Sequence, residues 1–398
     1  MAGGKYLQQK PPRGGRSSGG NSGRNFDNFD DQRNSGKKSG GKKTVLIILI
    51  VVLVLIIALA VACIIYYNSV LNMMSRPDDV TVPTLSEEEL AELRGTVPVE
   101  MPTAPTETTS PEETWPEVVS DQNITNIMLI GQAAREGEDY RLSDSNIIVS
   151  INRETKTVTL SSILRDLRVN IPAYDGHQAG FNRINVVYHL GSYYTGEKID
   201  SIKMMEQCIE NNFGVKIDHI IEIDFTIFEQ VVNLLGGVEV ELSEEEMRFM
   251  KINYYYHEPV LSLETGLNNL DGFTALCYAR LRKVGNGDWD RTARQRLIIS
   301  KLFEKLQDMN IMDVHNIFKQ VLPNIFTDMT NEEITNYAFE FIPMLAGLNI
   351  QSHTIPAEGT WWGTDLDPDG VHNYVIDCNL QKNGQILRDL IGYDQEEN

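Results

Sequence analysis

The sequence predicts an α/β or α+β layered domain preceded by one transmembrane helix. Three observations carry this. An uncharged run from Val45 to Tyr67 is dense in Val, Ile, Leu and Ala. From Asp121 onward, short apolar runs suited to strands are interleaved with segments of helical periodicity. The 398 residues leave room for two or three units at ~150 residues per domain, and no internal repeat divides them.

Residues 1–43 are rich in Gly, Ser, Asn and Arg, with 10 Lys and Arg against 3 Asp and Glu. So little apolar content predicts a disordered, basic cytoplasmic tail. The apolar run within residues 44–67 spans ~34 Å at ~1.5 Å per residue, enough for a ~30 Å hydrocarbon core. It ends Ile64-Ile65-Tyr66-Tyr67 without a small-residue cleavage site, which favours a retained signal anchor. The two tyrosines suit a membrane interface. Lys37, Lys38, Lys42 and Lys43 precede the run, and the first basic residue after it is Arg76. Positive-inside topology therefore predicts a single-pass protein of the cell membrane with residues 68–398 outside. The tail's charge is a topology signal rather than a nucleic-acid site. Residues 68–120 are Thr/Glu-rich and punctuated by Pro77, Pro83, Pro98, Pro102, Pro105, Pro111 and Pro116, the composition of a stalk.

The folded part occupies 121–310, with 311–398 completing the same domain. Asn126 to Gly131 is a buried strand. Asn146 to Asn152 and Thr157 to Ile163 form a strand pair joined by Arg153-Glu-Thr-Lys156. Leu167 to Ile171 is a strand stopped by Pro172. Ser201 to Asn212 is a helix ending before Gly214. Ile217 to Phe225 is a strand, Thr226 to Leu235 a helix, Gly236-Gly237 a turn and Val238 to Leu242 a strand. Leu270 to Tyr278 and Arg291 to Gln307 are helices, the second with Asp290 as a candidate N-cap. Further helices follow Asp308, then strands at Ile350 to Ile355 and Tyr374 to Asp377. Cys208, Cys277 and Cys378 lack metal-like spacing; one disulfide or three buried thiols both fit.

Beyond residue 43 the chain carries 25 Lys and Arg against 53 Asp and Glu, a net charge of −28. Against that background five arginines fall within seventeen residues: Arg280, Arg282, Arg291, Arg294 and Arg296. Arginine pairs two donors with phosphate or carboxylate oxygens and stays charged when partly buried, so the cluster points to an anion. A solvated helix face paired to nearby acids is the plainer alternative. Arg291, Arg294 and Gln295 lie at i, i+3 and i+4 near a helix start, where free N–H groups also favour phosphate.

Three other stretches have chemical content: Arg141-Leu-Ser-Asp144, Ser162-Ile-Leu-Arg165-Asp166 and Asn182-Arg183-Ile-Asn185. Asp144 and Asp166 offer the hard oxygen that magnesium takes beside phosphate, though a cap or an ion pair would explain either equally well. Gly-x-Ser-x-Gly, P-loop and His-Glu-x-x-His patterns are absent. Trp361-Trp362-Gly363 suits either sugar stacking or core packing, the latter being the commoner role.

In these blocks the sequence resembles the LytR-CpsA-Psr family of bacterial envelope proteins. The matching features are Leu129-Ile-Gly131, Arg141 with Asp144, Ser162-Ile-Leu-Arg165-Asp166 (where the family usually has Ile-Pro-Arg-Asp) and Arg183-Ile-Asn185. Phe228 with Val232-Asn-Leu-Leu-Gly-Gly-Val-Glu-Val240, Leu270 to Arg282 and Asp288-Trp-Asp-Arg291-Thr-Ala-Arg294-Gln295 follow. The resemblance implies a single α/β/α domain with a mixed central sheet and a long apolar pocket for a lipid tail. It implies a phosphotransferase that takes a glycopolymer from a polyprenyl-pyrophosphate carrier in the membrane. The acceptor is a peptidoglycan hydroxyl, in cell wall biogenesis. By the same resemblance Arg165, Arg280, Arg282 and Arg291 grip the pyrophosphate, with Arg141, Arg183, Arg294 and Gln295 close by. Asp144 holds Mg2+, and Asp166 and Asp288 are candidate proton acceptors. One departure stands out: where the family often has Gly-Ser-Asp, this chain has Gly131-Gln132-Ala133. That removes an expected magnesium ligand, for which Glu136, Glu138 or Asp139 could substitute. A carrier-binding regulatory protein and a carrier pyrophosphatase are therefore the alternative functions.

Overall fold

The computed structural model describes residues 116–132, 142–341, 344–345, 347–365 and 374–393, together with Tyr66. The predicted tail, the predicted membrane segment apart from Tyr66, most of the predicted stalk, and residues 133–141 with Arg141 lie outside the described residues. Among the described residues no helix is long and apolar enough to cross a membrane.

The chain opens with three antiparallel neighbours, β1 (Ile124–Gln132), β2 (Ser143–Asn152) and β3 (Thr157–Ile163). The β2–β3 turn is set by Asn152, whose side-chain oxygen accepts the Glu154 and Thr155 N–H groups at 3.1 and 3.0 Å. A small hairpin follows, β4 (Arg168–Ile171) with β5 (Gly180–Arg183), and then α1 (Ile184–Thr195) and α2 (Lys198–Phe213). Next come β6 (His219–Ile223) and α3 (Phe225–Leu234). The predicted strand over 217–225 is shorter because Asp224 leaves it to cap α3, accepting the Ile227 N–H at 2.8 Å.

β7 (Val238–Leu242) precedes α4 (Glu244–Asn253), which starts with a Ser243/Glu246 capping box, and α5 (Glu258–Leu261). β8 (Gly266–Leu270) pairs with β7, and Asp271 caps α6 (Gly272–Ala279). The long α7 (Asp288–Asp308) begins three residues before the predicted start, with Gly287 at its N-cap. Asp290 is therefore not the cap; its carboxylate accepts the Asn286 N–H at 2.8 Å instead. α8 (Ile311–Val321), β9 (Phe326–Thr327), α9 (Asn331–Phe341), β10 (Asn349–Ile355), the hairpin β11 (Trp361–Asp365) with β12 (Tyr374–Cys378), and α10 (Leu380–Ile391) complete the order.

Six strands form one mixed sheet in the order β10-β3-β2-β1-β6-β9. The β10–β3 and β1–β6 pairs are parallel and the others antiparallel. Strand alternation sorts its side chains to two faces. Met128, Ile130, Ile148 and Ile163 pack with α1, α2 and α10 through Val187, Met205, Leu387 and Ile391. Leu129, Ile147, Val149 and Leu160 face Ile299 and Phe303 of α7 and Phe341 of α9. Helices thus cover both faces, giving a layered α/β/α arrangement around a mixed sheet. A further apolar cluster joins the β7–β8 hairpin to α4, α6 and α7. Cys208, Cys277 and Cys378 are buried free thiols, so of the two predicted states the disulfide is not formed. Sequence periodicity marks no element at α1, α4, α5, α10, β5, β8, β9 or β11. In α1, for example, Val186, Val187 and Leu190 alternate with tyrosines and a glycine and present no clean apolar stripe.

Gly272 sets how closely α6 approaches α3. Its N–H donates to Asn233 Oδ1 at 2.8 Å, and a Cβ there would fall on the Glu229 carbonyl. Gly272→Ala is expected to lower stability by about 1–3 kcal/mol through overpacking against backbone that cannot give way. Urea unfolding of the variant against wild type measures it.

Candidate active site

Five pieces of chain meet around the charged groups. They are the start of β2, the turn after β3, the end of β5, the segment after α6, and the first turn of α7. Arg165 Nη1 lies 2.6 Å from Asp144 Oδ1, and Arg282 Nη2 lies 3.2 Å from Asp144 Oδ2. Arg291 Nη2 donates to the Asp144 carbonyl at 2.9 Å and to Asp288 Oδ2 at 2.8 Å. Asp288 Oδ1 sits 3.7 Å from both Arg165 Nε and Arg282 Nε. Asp166 lies 3.3 Å from Arg165 and 3.7 Å from Arg183. The structure therefore brings together Asp144, Arg165, Asp166, Arg183, Arg282, Asp288 and Arg291 in one charged lattice.

Burial pushes the Asp144 carboxyl up, but Arg165, and after it Arg282 and Arg291, outweigh burial and hold it below the usual carboxylate range. Asp288 goes the other way. Burial raises it, and Arg291, Arg165 and Arg282 only partly offset this. Arg291, 1% exposed, is lowered to about 10 by burial and remains a cation at neutral pH. Arg165 Nε, Arg291 Nε and Asp288 Oδ1 are buried without a hydrogen bond. Arg165 Nε still faces the Asp166 carboxylate at 3.3 Å, whereas Arg291 lines the adjoining cleft and offers its free donor to an anion's oxygen.

That cleft is a cavity of about 370 Å³, within the usual range for small-molecule sites. Its polar lining includes Asp144, Arg280, Arg282, Arg291 and Gln295. Arg280 stacks over the Phe225 ring at 4.5 Å, and Gln295 Oε1 accepts from the Ser145 hydroxyl at 3.0 Å. Gly131 lies where β1 passes Ser145, and a Cβ there would meet the Ser145 Cβ at 2.8 Å. The rest of the lining is largely apolar: Leu129 and Ile147 from the sheet, Phe228 and Val231 from α3, Ile299 and Leu302 from α7. Sequence reading had assigned no residues to these walls. Phe225, Phe228 and Val231, like Gln295, Ile299 and Leu302, follow helical spacing, but a periodic face does not reveal whether it meets core or a cavity.

Arg294 does not join the cluster, contrary to expectation. Its guanidinium is buried, pairs with Glu246 at 2.7 Å and donates to the Leu281 and Val284 carbonyls, both at 3.1 Å. Arg291 and Gln295 lie on the cavity side of α7, and three residues of rotation carry Arg294 toward α4 instead. Arg296 also leaves, donating to Ser352 of β10 at 2.6 Å. Arg141 lies outside the described residues.

In chemical terms the site can hold a molecule with an anionic head and an apolar tail. The LytR_cpsA_psr family model matches residues 96–383, and the chain belongs to the LytR-CpsA-Psr family. It is 29% identical over 270 residues to the polyisoprenyl-teichoic acid–peptidoglycan teichoic acid transferase TagT of Bacillus subtilis, covering 67% of this chain and 75% of that one. To the transferase TagU of Enterococcus faecalis it is 27% identical over 233 residues, covering 56% and 69%. Among solved structures it is similar to TagT bound to LIIa-WTA, with a TM-score of 0.51, 26% identity, and coverage of 68% of this chain and 92% of that one.

Magnesium commonly takes one or two carboxylates plus the phosphate oxygens of a substrate. Among the described residues no group of three His, Cys, Asp or Glu side chains converges to cage a metal. Asp144 is an ionised carboxylate in the cavity lining whose oxygens already face Arg165 and Arg282. An ion there would share the Asp144 oxygens with those guanidinium groups and would draw its remaining ligands from a bound phosphate. Ala133, Glu136, Glu138 and Asp139 lie outside the described residues.

Two outcomes separate structural from site arginines. Arg294→Ala strands the buried Glu246 carboxylate and is expected to cost about 3–5 kcal/mol of stability in a thermal melt, where Arg282→Ala leaves the melt nearly unchanged. Asp144, with its folded pKa depressed, contributes stability that is present above its unfolded value and lost as pH falls through the folded one. Asp144→Asn is thus expected to flatten the stability profile below about pH 4, measured by urea unfolding across that range.

Proposed function

We propose that this chain is a glycopolymer transferase. It takes a glycan linked through phosphate to a polyprenyl-pyrophosphate carrier and attaches it to a peptidoglycan hydroxyl. The observation that carries this is one cavity lined both by the Arg280, Arg282 and Arg291 guanidinium groups and by an apolar wall, which matches a pyrophosphate head on a prenyl tail. The similarity to TagT and TagU, which are polyisoprenyl-teichoic acid–peptidoglycan teichoic acid transferases, supports the same substrate class.

In the reaction the acceptor oxygen bonds to the glycan-side phosphorus. The bridging P–O bond of the pyrophosphate breaks, and polyprenyl phosphate leaves with the electron pair. The acceptor's proton passes to a carboxylate. Asp288, raised by burial, and Asp166 are the candidates. Phosphoryl transfer needs mainly positioning and charge neutralisation, which Arg165, Arg280, Arg282 and Arg291 supply, with Arg183 and Gln295 beside them. Magnesium, when bound with substrate, adds positive charge on the phosphates, and Asp144 would hold it. We place the domain outside the cell, on a stalk over residues 68–120 and a membrane anchor over 44–67, on the strength of the uncharged Val45 to Tyr67 run and the lysines before it.

The test uses the full-length protein in detergent with a polyprenyl-pyrophosphate-linked disaccharide and peptidoglycan oligomers, products being identified by mass spectrometry. A glycan–phosphate adduct on peptidoglycan is expected, reduced about 10²–10³-fold in Arg282→Ala. Hydrolysed carrier with no adduct, or undiminished adduct in both Arg280→Ala and Arg282→Ala, sinks the proposal.

A further inference from the structure

The charged lattice has two sides. The cavity reaches it through Asp144, Arg282 and Arg291, whereas Asp166, Arg183 and Asp288 lie outside the cavity lining. On that outer side Trp289 follows Asp288 in α7, and Trp361 of β11 packs on its ring. The centroids are 5.2 Å apart and the planes inclined by 36°. The hairpin that carries Trp361 is pinned to the lattice itself. The Ile376 N–H donates to the Asp166 carbonyl at 2.9 Å, and Asp377 pairs with Arg168 at 3.0 Å. Trp361 retains 38% exposure while its partner is half-buried.

Displacement at phosphorus sets the attacking and leaving oxygens roughly in line. Given the transferase reading above, on which this inference rests, the prenyl tail in the cavity fixes the leaving oxygen on the cavity side. The acceptor hydroxyl then arrives from the opposite side, past the two indoles and toward Asp166 and Asp288. We propose that Trp361 and Trp289 form the acceptor subsite, a stacking platform for a sugar ring of the peptidoglycan glycan chain. The C–H face of a pyranose is apolar while its hydroxyls project at the rim, a match for an indole face edged by charged side chains. Asp288, next to Trp289 in the chain, and Asp166, whose carbonyl holds the β12 strand, bring that charged edge; the Arg168–Asp377 pair, opposite Trp362 in the hairpin, lies on the other face. By strand alternation Trp362, 52% exposed, points to the other face of β11 and is not part of the platform.

The experiment uses the full-length protein with soluble, uncrosslinked glycan chains as acceptor. Acceptor KM, donor affinity and thermal midpoint are compared for wild type and for Trp361→Ala, Trp361→Leu, Trp361→Phe and Trp362→Ala. Loss of the flat face in the Ala and Leu variants is expected to raise acceptor KM on the order of tenfold with donor affinity unchanged, and Phe is expected to recover most of it. Trp362→Ala is expected to stay near wild type. Unchanged acceptor KM in Trp361→Leu, an equal loss of donor affinity, or an equal effect of Trp362→Ala overturns the assignment. If wild type makes no adduct at all, the transferase reading fails separately, and calorimetric titration with the glycan chains decides the platform. Binding lost in Trp361→Leu and kept in Trp361→Phe supports it, and no difference overturns it.

Discussion

The Asp144 carboxylate between Arg165 and Arg282 is the interaction on which the site depends. Arg165, Arg282 and Arg291 would otherwise repel one another: unit charges 4 Å apart interact by about 4 kcal/mol at an effective dielectric near 20. Asp144 holds all three, two through its side chain and Arg291 through its carbonyl, and Asp288 ties the same three from the α7 side. The cations are therefore preorganised before any ligand arrives. Their orientation costs no rearrangement when negative charge develops on a phosphate.

Preorganisation of this kind needs rigid supports, and the fold supplies them. Asp144 lies on an inner strand of the mixed sheet, Arg165 just past the end of the neighbouring strand, and Asp288 and Arg291 on the first turn of the 21-residue α7. Arg294 helps indirectly. Its bonds to the Leu281 and Val284 carbonyls and to Glu246 secure the segment that carries Arg282. One arginine-rich stretch thus divides its labour, with some guanidinium groups facing a ligand and others bracing the loop between α6 and α7.

Asp288 and Asp144 illustrate how packing differentiates like residues. Both are carboxylates within reach of the same arginines, yet burial prevails at Asp288 and the cations prevail at Asp144. The first is the better proton acceptor and the second the more persistent anion. The lattice also divides space: apolar walls lie on one side and a pair of indoles on the other, as a reaction that parts a lipid from a sugar requires.

Much of this was legible in the chain. Apolar runs ending in glycine or turn residues marked β1, β2, β3, β7 and β10, and the Arg280, Arg282, Arg291 and Asp288 spacing marked the anion site. Local contacts such as Asp288 with Arg291, three residues apart on a helix, follow from the helical period alone. The sequence by itself thus determined the strands β1, β2, β3, β6 and β10 of the central sheet, the arginine chemistry and the family resemblance. Tertiary structure decided the rest. It decided that Asp144 meets Arg282 across 138 positions, that Arg294 turns toward Glu246, and that Phe228 and Ile299 face a cavity rather than solid core. The physical reason is that periodicity states which residues share a face, whereas only the packing of distant elements states what that face meets.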